Sequence, residues 1–496
     1  MNFWHRLKTE LSLAVTMALV LQGCATWQTQ EPDAIMAAGN CSSLFNEMDQ
    51  IIQDYGVADA GTARIPGFPA LRIDRFLAAF AHKNLTAEVY ADWLERLRQL
   101  DMTARLIEWR NLPPAARMPL EPYLRPNLET TVNACGHILA EQALFYPRQR
   151  SRLLAAIEPP DAYSTWQRFF GLYFLTRWAI VDGVWSGQQE ILDLFSKTDQ
   201  GPGLADRLVR YAPPVQDALG VDQVATILAQ SARNPLKIPQ PSKDQLTRLF
   251  ASLAPVWVVD TASDNDRIGT VSIGAEDKTY IHSQTPVVYT LTSHARYGDQ
   301  TLLQLNYLIW FPARTPERWL DIYAGRFDGL IWRVTLGMDG KPLAYDSIHA
   351  CGCYYQIFPG EGMQVVKPED GSEPILSPKS IPALKPDERL TIRLTSGNHF
   401  IRSVTAERAV AGATAYNWLD YHALRSLPTP DNRRLSFFNK DGLVDGSERL
   451  ERFLLWPMGV PNAGAMRQWG NHAIAFLGKR HFDDPHLIEK LMRPVW

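Results

Sequence analysis

Apolar positions along the chain follow two periods. From about residue 46 to 235 they recur at three- and four-residue steps. Val89, Trp93, Leu97 and Leu100 share one helical face, and Trp166, Phe170, Phe174 and Trp178 repeat the spacing with larger rings. With Phe169 and Tyr173 added, these aromatics surround most of their helix, a pattern that predicts burial. Proline pairs at 113–114, 159–160 and 213–214 and single prolines at 122 and 126 punctuate the segment.

Between 233 and 243, Pro235, Pro239 and Pro241 predict a stiff linker. The period then shortens to that of strands. Val256–Val259, Ile268–Ile273, Val287–His294, Leu302–Trp310, Ile331–Gly337 and Leu343–His349 are β-branched or aromatic runs bounded by turn residues. A proline-rich loop spans 359–388, and a further strand pair is expected at 389–406. Near the end, Asp484 and Pro485 read as the N-cap and first residue of a closing helix. The expected fold is α+β. A helical domain at 46–235 precedes an antiparallel β domain at 245–410, and a mixed loop and helical tail at 411–496 packs on the sheet.

The Asp339-Gly340 pair predicts a type I′ hairpin. Its register sets Leu336 against Leu343, Val334 against Tyr345 and Arg333 against Asp346. Apolar then meets apolar, and charge meets opposite charge. The adjoining strand adds Gln304 and Asn306 to the polar stripe. This stripe reads either as a solvated sheet face or as a binding groove lined by Gln304, Asn306, Arg333 and Asp346.

Composition narrows the function classes. Of 496 residues, 46% are hydrophobic and 21% charged, which excludes a mainly disordered, collagenous or coiled-coil chain. The formal charge of −3 supplies no basic field, so nucleic acid is not an expected partner. Fifteen Trp, 17 Tyr and 20 Phe demand either large cores or exposed apolar surface. Five cysteines are too few for a scaffold built on disulfides.

At the N-terminus, His5, Arg6 and Lys8 precede an uncharged stretch from Leu11 to Leu21. It is too short for a stable membrane span. It ends in Leu21-Gln22-Gly23-Cys24, which resembles the bacterial lipobox. The resemblance covers the export segment alone. It implies that residues 1–23 are removed as a signal peptide, that Cys24 is lipidated, and that residues 24–45 form a tether. Ala25 in place of an aspartate implies sorting to the outer membrane, with the body facing the periplasm. The membrane is then a partner through the acyl chains.

Reactive groups are densest in His349-Ala350-Cys351-Gly352-Cys353. Alternate side chains of a straight strand lie about 7 Å apart, too far to share a tetrahedral metal unless the chain bends at Gly352. The spacing is not a strong zinc pattern, and no metal site is expected. A nucleophilic Cys351 or Cys353 needs a base, for which His349 and His282 are the candidates. In an oxidising compartment the cysteines other than Cys24 can instead pair as Cys41–Cys135 and Cys351–Cys353. A strained Cys-Gly-Cys ring also permits redox exchange. The chain has no Gly-rich phosphate loop, no Gly-x-Ser-x-Gly and no CxxCH, so no cofactor is assigned. The expected function is that of a lipid-anchored envelope protein acting through binding or assembly, on an envelope protein or small ligand. The alternatives are a Cys/His hydrolase or transferase and thiol–disulfide exchange.

Overall fold

The computed structural model describes residues 31–495 apart from 84, 198–206, 215–217, 367–371, 386 and 409–411, so Cys24 and the lipobox lie outside the described residues. The fold is α+β, with N-terminal helices, a β-rich body and a short helical tail. No described helix is long and apolar enough to cross a membrane.

Three long helices, Glu31–Asp54, Ala87–Asn111 and Leu128–Phe145, pack around a small hairpin, Ala63–Ile65 with Phe68–Ile73. The second and third begin where a side chain satisfies a free N–H: Thr86 accepts from Val89 and Asn127 from Thr130. Trp93 and Leu97 are fully buried against Leu71 and Ile73, as their spacing predicts. The Glu31–Asp54 helix takes up residues 31–45, which read as tether. Cys41 is buried in it and bonded to Cys135 of the Leu128–Phe145 helix.

The β body contains two main sheets. In the six-stranded sheet, Gln356–Pro359, Pro342–His349, Gly325–Leu336, Gln300–Arg314 and Val287–Tyr297 form an antiparallel meander, and Asn417–Asp420 joins parallel to the last. The five-stranded sheet runs Ile401–Arg408, Glu388–Leu394, Val256–Thr261, Arg207–Ala212 and Thr414–Ala415. Trp257, Val259, Ile392 and Leu394 of the smaller sheet share one core with Leu305, Tyr307, Trp332 and Val334 of the larger. The larger sheet's other face is covered by tail residues such as Phe437, Met466, Phe482 and Leu491. A sheet covered on both faces needs no polar side, so every residue from 301 to 311 is buried.

Several expectations change on folding. The 207–212 strand leaves the helical region to join the smaller sheet. The 233–243 segment is packed, not a free linker: Leu236 and Ile238 enter the helical core, and Asp92 accepts the Leu236 N–H at 3.1 Å. The hairpin keeps Arg333 opposite Asp346 and Val334 opposite Tyr345, but the register slips so that Leu336 faces Pro342. Only Gly340 of the central pair has positive φ (+82°), so the turn is not type I′ and the connection is one residue longer. The closing helix is Leu487–Leu491, and Asp484 accepts the His486 N–H ahead of it.

The aromatic helix departs furthest from expectation. It is two helices, Thr165–Phe170 and Tyr173–Ser196, broken at Gly171 and Leu172 (φ +49°). A Cβ at Gly171 would sit 2.6 Å from Pro457, so only glycine permits this approach. The aromatics around the break are exposed. Trp166 is 59%, Phe169 75%, Phe174 65% and Trp178 65% accessible. Periodicity marks the helical, apolar character of both segments but not the break between them, and the body covers only part of their surface.

Candidate functional site

The predicted polar groove does not form as a groove. Gln304, Asn306, Arg333 and Asp346 are all buried, because the tail closes over their face of the sheet. Arg333 forks onto Asp346, donates to the Phe482 carbonyl, and stacks its guanidinium 3.7 Å from the Phe482 ring centre. Tyr355 donates to Asp346 at 3.3 Å. Asn306 donates to the Leu291 carbonyl at 2.9 Å and to Ser293. Arg333 and Asp346 thus satisfy each other, as buried ionic groups must, while the Asn306 side-chain oxygen has no hydrogen-bond partner among the described residues.

Gln304 alone of the four lines a cavity of about 260 Å³ at the seam between the helices and the sheet. Asp74, His294, His422, Trp469 and Asp483 complete much of its wall. Asp74 caps a short helix through Leu77 at 2.7 Å, and burial raises its pKa to about 6. His294 is held at the Pro239 carbonyl (2.8 Å), and burial pushes its pKa down to about 4, so it is neutral near pH 7.

The reactive segment lies at the end of the Pro342–His349 strand, where the chain turns. Gly352 donates to the His349 carbonyl at 2.7 Å, and His349 donates to the Cys353 carbonyl at 3.0 Å. Gly352 has φ +94°, and a Cβ there would meet the Ala473 carbonyl oxygen at 2.4 Å, so both conformation and space require glycine. This bend brings the two cysteines together. Both are free thiols; the Cys353 N–H donates to the Cys351 sulfur at 3.3 Å. The side-chain hydrogen bond from Cys353 to Cys351, with burial, pushes the Cys353 thiol well above its ordinary pKa. Cys351 is buried and Cys353 partly exposed.

Neither candidate base is engaged with these sulfurs. His282 is exposed, with its ring against Tyr280 at 4.5 Å. The His349 ring lies against Tyr354 and Phe400, and its Nδ1 is 3.3 Å from Asp328. Burial lowers the His349 pKa, with Asp328 opposing. Asp328 in turn holds His399 (2.8 Å), and His399 reaches Asp266 (3.3 Å). All four are buried, and His399 stacks on Phe311 with ring centres 3.9 Å apart. Among the described residues, no three His, Cys, Asp or Glu side chains converge to hold a metal ion.

The groups that do surround the thiols were not singled out by spacing. Arg467 donates to the Cys351 carbonyl at 3.2 Å, and Arg314 reaches the Tyr354 hydroxyl at 3.3 Å. Glu451 presents a buried carboxyl to which no protein hydrogen bond is made among the described residues. Burial raises its pKa to about 7, although Arg314 and Arg449 act the other way. These residues come from distant parts of the chain, and no local pattern links them.

A second surface lies beside this cluster. The Trp166 ring packs on Trp456 at 5.6 Å, next to the exposed Leu450, Phe453 and Leu454. Glu451 N–H donates to the Ile322 carbonyl at 3.2 Å, which sets the 319–323 loop alongside, with Trp319 95% exposed. Arg177 stacks over Trp178 at 4.9 Å and Arg452 over Phe453 at 4.8 Å. From 165 to 181 the only charged residues are Arg168 and Arg177. Comparison with known proteins gave no matching family model, no matching curated protein and no matching solved structure.

Proposed function

We propose that the chain is a lipid-anchored cell-envelope protein that works through binding at the membrane surface. In this reading its exposed aromatic face is the binding element, seated in the interfacial layer of a phospholipid bilayer. The observation that carries the reading is the run of exposed rings from Trp166 to Trp178, continued by Phe453 and Trp319. Leaving so much apolar surface in water is costly, and such patches mark interaction sites. The chemistry fits a bilayer interface. Trp and Tyr favour the headgroup level, and Arg177 and Arg452, stacked on exposed rings, complement lipid phosphates. The lipobox-like segment supports the same partner, since acyl chains at Cys24 bring the body to a membrane.

The test uses protein extracted from membranes and reconstituted in vesicles that contain brominated phosphatidylcholine and phosphatidylglycerol. Tryptophan fluorescence is expected to be quenched, and Trp166→Ser with Trp178→Ser is expected to remove much of the quenching. Unquenched tryptophans in a protein that stays with the vesicles would overturn the membrane contact. Intact mass separately tests cleavage before Cys24 and its acylation. An unmodified cysteine there overturns the anchor without touching the surface argument.

A further inference from the structure

We propose that Cys351 and Cys353 form a thiol–disulfide exchange centre acting on protein or peptide partners. The inference goes beyond the membrane-binding reading and does not depend on it. Two observations carry it. The glycine-bent turn sets two free thiols two residues apart, with the Cys353 N–H donated to the Cys351 sulfur at 3.3 Å. Cys353 is partly exposed, so one sulfur of the pair is open to a partner, while Cys351 stays buried with Arg467 donating to its carbonyl at 3.2 Å.

A Cys-Gly-Cys ring is tight and favours reduction, so oxidation of a partner dithiol is the favoured direction. A partner thiolate attacks the partly exposed Cys353 sulfur of the Cys351–Cys353 disulfide; that S–S bond breaks, and Cys351 leaves as a thiolate that takes up a proton from solvent. The second partner thiolate attacks the partner sulfur of the mixed disulfide, which forms the partner disulfide and releases Cys353, and Cys353 is protonated in turn. The partner dithiol loses two electrons and two protons, and the cysteine pair gains the same.

The full-length protein is equilibrated in glutathione buffers of graded ratio, and its cysteines are read by alkylation and mass spectrometry. A single reversible two-electron transition at Cys351/Cys353 is expected, with Cys41–Cys135 unchanged. The oxidised protein is then mixed with reduced, unfolded ribonuclease A. It is expected to speed the appearance of ribonuclease disulfides, and Cys351→Ser or Cys353→Ser is expected to abolish this. Thiols that stay reduced under oxidising glutathione, or a disulfide that leaves ribonuclease unaffected, would overturn the proposal.

Discussion

His399 carries its ring between two buried carboxylates, Asp328 at 2.8 Å and Asp266 at 3.3 Å. Burial alone lowers its pKa, but the hydrogen bonds and charges of Asp266 and Asp328 raise it overall above 6.5. The folded state therefore holds a proton that the unfolded chain releases near 6.5. The resulting stability is complete below that pH and is lost as pH rises through the folded-state value. Urea titrations of wild type and His399→Gln at about pH 6 and about pH 8 are expected to show the stability difference shrinking at the higher pH. A constant difference would exclude His399 as the source. No local pattern pointed to this chain of groups. Asp328 lies outside the strand runs read from the sequence, and its partners lie 21 and 71 residues away. Cys351 and Cys353 were legible as a pair because only Gly352 separates them in sequence. Their neighbours Arg314, Arg467 and Glu451 were not.

At the level of elements, side-chain period was enough to find the longer strands of the β body and the helix carrying Val89 to Leu100, but not the strands Arg207–Ala212, Gln356–Pro359 and Asn417–Asp420. Exact bounds and register were less accessible. The Asp339-Gly340 hairpin shows why: Arg333 still meets Asp346, but a longer turn displaces Leu336 by one partner. The aromatic helix shows a different gap. Period identifies a helix with apolar residues all round, and only its neighbours decide how much of that surface is covered. The Glu31–Asp54 helix was missed because its first residues are polar and weakly patterned. It is stapled to the Leu128–Phe145 helix by Cys41–Cys135, which are 94 residues apart. Replacing both cysteines with alanine is expected to cost about 2–4 kcal/mol of unfolding free energy, read from the denaturant midpoint. An unchanged midpoint would mean that the loop is already ordered without the bond.

Across the whole molecule, the tail is a structural layer. Tyr163 donates to the Ala475 carbonyl at 2.8 Å, and Arg425 and Gln468 bind Asp59 at 2.8 and 2.7 Å, which ties tail, helices and sheet into one body. Phe482 is fully buried over Arg333, against Trp469 and Tyr355. Phe482→Ala is expected to destabilise the protein by about 3–5 kcal/mol in equilibrium unfolding, since it opens a cavity and uncovers a buried ion pair. A change below about 1 kcal/mol would show that the tail packs there only loosely.

The sequence by itself determined the α+β class, the longer strand runs, the Arg333–Asp346 pairing and the closeness of two cysteines around Gly352, because each follows from period or from neighbours along the chain. Tertiary structure alone decided three things. It turned the polar stripe into a buried network by laying the tail over it. It left the aromatic helices uncovered. It gathered Glu451, Arg314 and Arg467 around two thiols. The physical reason is common to all three: burial and electrostatic environment depend on what packs against a residue, and that partner is set by long-range folding.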